Sequence, residues 1–195
     1  MVATDINNAR LRALEEKVRY VSPGASFETS LGDYEGSFNY IVVLAPVPKL
    51  VSDSVAHAAE KGLVNIFAGI HKGTTAELDL DSILKNRVYL FGTSGSPMEA
   101  MEAVLARVES GNLDTNISVD AIGGMNGAIE GLNGVKGQRF SGKVVIYPQL
   151  KEMGLITLSR LAEILPDVHE RLADGKYWTK EAEEQLLSHM AEFRR

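Results

Sequence analysis

The chain has 195 residues, 45% of them hydrophobic, and carries 20 basic against 26 acidic side chains for a net charge of −6. This length and composition suffice for a packed core, in one large domain or in one domain with an appendage. The acidic balance, without any basic run, argues against binding to nucleic acid or to an anionic membrane. Small molecules and other proteins are therefore the better candidate partners.

The sequence contains no cysteine, which excludes disulfides, thiolate nucleophiles and cysteine-ligated zinc sites. The start of the chain lacks the basic and apolar regions of a signal peptide. No apolar run approaches the roughly 20 residues that a membrane-spanning helix needs. We therefore expect a cytoplasmic protein.

The first elements suggest an α/β pattern. Small apolar residues run into Asp5, which predicts the tip of a strand, and apolar residues at helical spacing over 8–18 predict an amphipathic helix. Residues 19–37 are rich in Ser, Gly and polar side chains and predict an irregular connection. The stretch YIVVLAPVP (40–48) is a continuous β-branched run, typical of a strand buried on both faces of a parallel sheet.

Helices and strands then alternate. A helical pattern over 49–61 is predicted to end at Gly62, a second buried strand covers 63–70, a helical turn lies near 80–86, and a third strand covers 87–93. The next helix is predicted to end at Gly111 and to carry an apolar stripe of Met98, Met101, Leu105 and Val108. This alternation predicts right-handed crossovers in a doubly wound parallel sheet.

The pattern changes after residue 112. It predicts a short strand, a glycine-interrupted helix near 125–136 and a strand over 143–147. The last 45 residues are predicted to be helical, in segments near 157–165, after Pro166, and from Thr179 onward. Ala182, Leu186, Met190 and Phe193 repeat at three and four in the last of these.

We therefore predict an α/β fold with a doubly wound parallel sheet over 1–112, a segment of different character over 113–149 and a helical extension over 150–195.

Small residues at three strand ends form the main candidate site. These ends are APVP (45–48), AGIHKGTT (68–75) and GTSGS (92–96), and Asp5 marks a fourth. Ligands of such sheets lie at the carboxyl ends of the strands, where small residues let a ligand approach backbone amides. The alternative is ordinary turn chemistry, because glycine and proline end strands in any α/β domain.

Three charged side chains are further candidates. The Asp5 carboxylate would accept hydrogen bonds from an adenosine ribose, with the Arg10 guanidinium over the adenine; the alternative is that Asp5 or Asn7 caps the following helix. Lys143 would neutralise a phosphate or simply face solvent. The pair Asp79 and Asp81 is interpreted as a helix cap.

Two other features of the sequence do not indicate a binding site. The four histidines have no spacing that would gather a metal site. The segment GGMNG (123–127) does not fit the G-x-G-x-x-G phosphate loop.

Several motifs together resemble the carboxy-terminal half of the medium-chain dehydrogenases/reductases, the zinc-dependent alcohol and polyol dehydrogenase superfamily. The segments that carry the resemblance are VATDINNARLRAL, YIVVLAPVPKLV, VNIFAG, LFGTSGS with MEAMEAVLARVESGNLDT, and GQRFSGKVVIYP. The GTSGS segment, its methionine-rich helix and the tail YWTKEAEEQLLSH look most like the branch of L-sorbose 1-phosphate reductase and sorbitol dehydrogenase-like proteins.

This resemblance implies a dinucleotide site. It implies that Asp5 binds the adenosine ribose, which favours NAD over NADP, that Arg10 lies beside the adenine, and that Lys143 reaches the pyrophosphate. It places three strand ends around the nicotinamide: Leu44, Ala45 and Val47 at its ribose, Phe67, Ala68 and Gly69 at its carboxamide, and Gly92, Thr93 and Ser94 near the reaction centre. It implies that 1–112 is a partial NAD(P)-binding domain with an incomplete doubly wound parallel (Rossmann) sheet, and that 113–149 returns toward a small remnant of the catalytic domain before the helical extension over 150–195. It also implies a homodimer that pairs the strand at 88–93.

The sequence departs from the resembled family in a way that bears on activity. A complete member has a GroES-like catalytic domain with zinc ligands, followed by a strand and a glycine-rich loop, and no segment here matches them. Zinc polarises the carbonyl in that chemistry, and the helix after the loop holds the pyrophosphate. We expect this chain to be the cofactor-binding portion of a dehydrogenase that interconverts a polyol or sugar-phosphate alcohol and a ketone. By itself it should be inactive and should bind NAD weakly if at all.

Two other functions remain open from the sequence. The first is a non-enzymatic assembly module that pairs with a chain supplying the missing half. The second is an adenosine-binding methyltransferase, which would need an antiparallel hairpin at the sheet edge, and no such hairpin is evident after residue 112.

Overall fold

The computed structural model describes residues 1–32, 34–92 and 95–189. They form two compact units. One unit comprises Met1–Thr29 with the described part of Arg107–Arg195, and the other comprises the described part of Ser30–Ala106.

The first unit begins with β1 (Val2–Asp5) and α1 (Asn8–Val21). Asn7 caps α1, since its side-chain oxygen accepts hydrogen bonds from the amides of Ala9 and Arg10. β1 pairs with β2 (Glu28–Leu31) in a two-stranded sheet. The prediction of an irregular connection over 19–37 was therefore wrong in part, because a four-residue polar strand has no apolar alternation that reveals it.

The same unit contains a three-stranded sheet with the order β7-β6-β8. β6 (Val119–Gly123) pairs in parallel with β7 (Lys143–Ile146), and α5 (Ala128–Lys136) connects them, as the sequence predicts. β8 (Leu155–Thr157) pairs antiparallel to β6. The helix predicted near 157–165 was wrong at its start, because a three-residue strand becomes visible only through its pairing with β6.

Three short helices complete this unit, namely α6 (Leu161–Ile164), α7 (Pro166–His169) and α8 (Lys180–Ser188), the last capped by Thr179. Ala182 and Leu186 of α8 are buried as predicted, whereas Met190 and Phe193 lie outside the described residues. The sheet and the helices share one apolar core, made of Val119, Ile122, Tyr147, Leu150, Met153, Ile156, Leu158, Leu161, Leu165, Val168, Leu172, Trp178, Ala182 and Leu186.

The second unit is a parallel α/β layer. Its elements are β3 (Phe38–Val43), α2 (Pro48–Ala56), β4 (Ala58–Ile66), α3 (Leu80–Asn86), β5 (Tyr89–Gly92) and α4 (Met98–Glu109), which runs on past Ala106. All strands are parallel in the order β3-β4-β5. α2 packs on one face of this sheet over a small core of Val43, Val51, Ala58, Val64 and Val88.

The helix predicted over 49–61 ends earlier, at Ala56, and β4 begins at Ala58. Gly62 is not a helix cap but lies within β4, where the pairing with β3 shifts register. A Cβ atom there would come 2.9 Å from the Ala59 oxygen and 3.1 Å from the Phe38 oxygen, so the bulge needs glycine. Pairing with β3 thus overrides the helical composition of this segment.

The α/β class and the parallel strand pairing are confirmed, but the strands are distributed over three sheets instead of one. α4 ends at Glu109, two residues before the predicted end at Gly111, which has a φ of 72°, and its apolar stripe is not buried. No described helix is long and apolar enough to cross a membrane. The segment boundaries after residues 112 and 149 stay predictions.

Candidate functional site

Asp5 is held at the tip of β1 by a bidentate ion pair with Arg10. Arg10 Nη2 donates to Asp5 Oδ1 at 2.7 Å and Nε donates to Oδ2 at 3.0 Å. The backbone amide of Asn7 donates a further hydrogen bond to Asp5 Oδ1 at 2.8 Å. Both charged side chains are about 30% exposed, so the carboxylate is fixed in orientation but still reachable by a ligand.

This arrangement keeps Asp5 ionised. The hydrogen bond from Arg10 lowers the pKa of Asp5 below its ordinary value of 3.8, partial burial opposes that shift, and the Asn7 amide reinforces it. The same pairing raises the pKa of Arg10. Asp5 is therefore an acceptor-only carboxylate at neutral pH, which suits binding of hydroxyl donors.

The ion pair predicts a specific acid response. Because the folded-state pKa of Asp5 is depressed, its contribution to stability is present above the unfolded-state pKa and is lost as the pH falls through the folded-state value. We expect Arg10→Gln to raise the Asp5 pKa toward 3.8. The loss of folding stability that Asp5 causes as the pH falls should therefore become smaller. Arg12→Gln removes the same charge from an exposed neighbouring position and serves as the control. A carboxyl NMR titration of both variants measures the pKa, and equal Asp5 values would contradict the prediction.

Arg10 has a third partner that the sequence does not suggest. Its Nη1 donates to Gln138 Oε1 at 3.2 Å, across a long stretch of chain. Gln138 follows α5 and has a φ of 55°. No motif marks this residue, so only the folding of this unit reveals the contact. Lys143, the predicted pyrophosphate ligand, is exposed at the first position of β7.

The predicted strand-end residues of the second unit lie along one edge of its sheet. Val43, Ile66 and Gly92 are partners in the parallel register, so β3, β4 and β5 end side by side. Seven predicted site residues lie at or just after these ends: Leu44, Ala45, Val47, Phe67, Ala68, Gly69 and Gly92. Thr93 and Ser94 lie outside the described residues. The cofactor roles of all these residues stay predictions.

Backbone hydrogen bonds fix this edge. The amides of Phe67 and Ala68 both donate to the Val43 oxygen, at 3.0 and 2.9 Å, which ties the end of β4 to β3. A Cβ atom on Gly92 would come 3.0 Å from the Ile66 oxygen, whereas open space surrounds Gly69. At the carboxyl ends of these strands, Gly92 thus allows two strands to approach closely, and Gly69 leaves room for a ligand.

Two cavities lie elsewhere, one in each unit. A cavity of about 660 Å³ lies between α2 and residues 75–79 and is lined in part by Asp79. Asp79 caps α3 by accepting from the amides of Asp81 and Ser82, and its hydrogen bonds with Ser82 lower its pKa. The cap interpretation of Asp79 is thereby confirmed.

A smaller cavity of about 270 Å³ lies in the first unit and is lined in part by Lys17 and Asp120. These two residues form an ion pair, with Lys17 Nζ 3.3 Å from Asp120 Oδ1. Neither cavity is lined by a predicted site residue.

The glycines of GGMNG have a packing role. A Cβ atom on Gly124 would overlap the Leu150 carbonyl oxygen, and one on Gly127 would lie 2.6 Å from the Leu155 nitrogen. These glycines let the chain cross the Leu150–Leu155 segment closely.

Within residues 1–32, 34–92 and 95–189, no three acidic or histidine side chains gather as a metal-binding group, so a zinc ion finds no fitting ligand set there.

Comparison with known proteins places the fold among dehydrogenases. No family model matches the sequence. The uncharacterized protein YggP of Escherichia coli (strain K12) is 29% identical over 165 residues, which are 79% of this chain and 38% of that protein. This chain therefore spans less than half of that relative.

Solved structures share the fold at lower sequence identity. The alcohol dehydrogenase rspB of Escherichia coli CFT073, complexed with NADH, is 12% identical with a TM-score of 0.62, over 80% of this chain and 44% of its own. The 2R,3R-butanediol dehydrogenase of Bacillus subtilis is 16% identical with a TM-score of 0.60, over 75% of this chain and 43% of its own. The described chain thus has the Rossmann-like α/β fold of these enzymes over about two fifths of their length.

Proposed function

We propose that this chain is the dinucleotide-binding part of an NAD-dependent dehydrogenase that interconverts a secondary alcohol and a ketone. The proposal rests chiefly on the register of Val43, Ile66 and Gly92, which aligns three carboxyl strand ends made of small residues. Ligands of parallel α/β sheets bind at such ends. The NADH complex of the structurally similar rspB supports a nicotinamide cofactor.

The residues at this edge suit a nicotinamide and its ribose. Gly69 leaves open space and a side chain at Gly92 would crowd the Ile66 oxygen, so a planar carboxamide would approach backbone amides and carbonyls there. Bound NAD would supply the hydride acceptor, while Leu44 and Phe67, both exposed, would provide apolar contacts for the ring. The residues of this chain thus bind and orient the cofactor.

We assign Asp5 to the adenosine ribose. Its ionised carboxylate would accept from the ribose hydroxyls and repel the 2′-phosphate of NADP, which gives a preference for NAD. Arg10 holds the carboxylate in place through its two hydrogen bonds. Lys143 would contact the pyrophosphate, and a polyol or sugar phosphate would be the substrate of the whole enzyme.

An NADH titration tests this function. We expect Asp5→Asn, which removes the charge at nearly constant shape, to weaken NADH binding about tenfold or more, because hydrogen bonds to a charged group are worth about 1.5–3 kcal/mol. The preference for NADH over NADPH should shrink in parallel. Asp79→Asn removes a carboxylate from a helix cap in the other unit and should leave binding unchanged.

Calorimetry on the purified chain gives both affinities. Failure of the wild-type chain to bind NADH, or equal binding by Asp5→Asn, would contradict the proposal. We also expect no turnover by this chain alone, so oxidation of sorbitol with NAD would contradict that expectation.

An assembly module is the second candidate function, and α5 favours it. Gly131 and Gly134 of this helix are buried, with Val144 and the Phe140 ring where their Cβ atoms would lie. The large apolar side chains of α5 point outward instead and are 54–69% exposed: Ile129, Leu132 and Val135. A helix whose two faces are both apolar is typical of one that binds a further protein surface. The NADH titration separates the two candidates, since the module alone need not bind the cofactor.

The proposed enzyme would also be a homodimer. β5 pairs only with β4 among the described strands, so its other edge is available to a second β5. Such pairing would extend the sheet from one copy into the next.

A further inference from the structure

The cavity of about 270 Å³ in the first unit is lined by several separate segments of the chain. They are α1, β6, β8 with the turn that follows it, and the segments before β7 and before α8. All of them belong to the first unit, so the cavity lies within one compact body. We call it the β6 cavity.

Part of the lining of the β6 cavity is apolar. Val119 and Leu158 are both 6% exposed and belong to the core of the unit. Phe140 also lines the cavity, and its ring occupies the space that a Cβ atom on Gly134 would need, which fixes it against α5. A lining of this kind favours a ligand that has an apolar part.

Asp120 is a carboxylate in the lining whose two oxygens already have partners. Its Oδ2 accepts from the Gly142 amide at 2.6 Å, and its Oδ1 accepts from Lys17 Nζ at 3.3 Å. A Cβ atom on Gly142 would overlap the Ser118 oxygen and lie 2.8 Å from Asp120 Oδ1, so this close approach of the amide needs glycine. Asp120 therefore holds the Lys17 side chain at the cavity.

Two ammonium groups in the lining have donors for a ligand. The Lys17 side chain is only 22% exposed, and Asp120 accepts from it in one long hydrogen bond, whereas an ammonium group has three N–H donors. Lys176 Nζ lies 3.6 Å from Glu16 Oε2, beyond hydrogen-bonding distance. The two ammonium groups and the one carboxylate give the lining a charge of +1. This charge favours an anionic ligand.

Hydroxyl groups add further donors. The Thr157 and Ser159 oxygens lie 3.0 Å apart, so one hydroxyl donates to the other and the second keeps its own O–H for a ligand. Tyr177 also lines the cavity, and its ring packs on that of Tyr20 with the centroids 4.3 Å apart. Hydroxyl donors beside an ammonium group suit the oxygens of an anion.

We propose that the β6 cavity binds a small organic carboxylate with a short apolar chain. The Lys17 ammonium group would bind the carboxylate, with the hydroxyl pair of Thr157 and Ser159 beside it. The apolar chain would contact Leu158 and Phe140. Inorganic phosphate would match the ammonium groups but would leave the apolar lining unused. The volume of about 270 Å³ is below that of pockets for drug-sized ligands, so the carboxylate has few atoms.

The β6 cavity is separate from the proposed ribose site. Lys17 follows Arg10 by seven residues on α1, which is about 10 Å along the helix axis. No residue that lines the cavity belongs to the predicted dinucleotide site. The proposal therefore does not depend on cofactor binding.

Titration of the amide NMR signals tests the proposal. The probe is 3-methylbutanoate, with 3-methylbutanamide as a neutral ligand of the same shape and inorganic phosphate as an anion without an apolar chain. We expect 3-methylbutanoate to shift the amides of Asp120, Leu158 and Tyr177 saturably, with a Kd of about 1 mM, which is within reach of a ligand with about seven heavy atoms. The amide and phosphate should each bind at least about tenfold more weakly, because each lacks one of the two matching parts.

Three variants assign the binding to this cavity. Lys17→Met keeps most of the side-chain stem but removes the ammonium group, and it should weaken 3-methylbutanoate binding at least about tenfold. Thr157→Val removes one hydroxyl at nearly constant shape and should weaken binding about threefold. Lys180→Met removes the same charge from an exposed ion pair outside the cavity and should leave the affinity unchanged.

Three results would overturn the proposal. The first is that 3-methylbutanoate causes no saturable shift of these amides. The second is that 3-methylbutanamide or phosphate binds as tightly as 3-methylbutanoate. The third is that Lys17→Met and Thr157→Val, both with the amide spectrum of a folded chain, bind as tightly as the wild-type chain. A chain that binds 3-methylbutanoate but not NADH would refute only the proposed function.

Discussion

Replacing Leu161 with Ala is expected to lower the free energy of unfolding of the first unit by about 2–5 kcal/mol. Leu161 of α6 is fully buried in the core that joins the β7-β6-β8 sheet to the carboxy-terminal helices. Its truncation removes apolar contacts and leaves a cavity, since a packed interior relaxes only partly. Asp5 and Arg10 belong to this unit, so its unfolding would also remove the candidate ribose site.

Ile164→Ala is the matched control for this prediction. Ile164 lies on the same helix but is 41% exposed, so its truncation should cost about 1 kcal/mol or less. Urea unfolding followed by tryptophan fluorescence measures both variants, because Trp178 is the only tryptophan of the chain and lies in the same core. Equal losses in the two variants would show that this core is not formed as described.

Gly124→Ala is expected to destabilise the same unit by about 3 kcal/mol, at the upper end of the cost of overpacking. The added methyl group would overlap the Leu150 carbonyl oxygen, and a backbone group cannot turn aside as a flexible side chain can. Gly124 has a φ of −97°, which alanine also adopts, so the expected cost comes from the overlap and not from backbone strain.

Gly154→Ala separates this effect from the general effect of removing a glycine. No atom lies within 4 Å of the position of its added Cβ, so the variant should be unchanged or more stable by up to about 1 kcal/mol. The fluorescence of Trp178 again measures unfolding. If both variants had the same stability, Gly124 would not be packed against Leu150, and its loop would be open to other partners.

Much of the candidate site follows from the sequence, but its internal contacts do not. The small residues after three apolar runs predict a shared edge, and the register of Val43, Ile66 and Gly92 forms that edge. Asp5 and Arg10 are predicted to contact different parts of a ligand, yet in the structure they bind each other. The partner Gln138 comes from beyond α5, and such a distant pairing leaves no local pattern.

The sequence by itself determined the elements whose cause is local. The helix that starts after Asn7, the cap at Asp79 and the parallel strands follow from side-chain oxygens beside free amides and from the spacing of apolar residues. The prediction that these strands are buried on both faces was wrong, because Tyr40, Val42 and Tyr89 on the face opposite to α2 are 40–60% exposed. Tertiary structure alone decided β2 and β8, the division of the strands into three sheets and the exposure of the α4 stripe. The physical reason is that short strands and apolar stripes are specified by the surfaces they meet, and those surfaces come from distant parts of the chain.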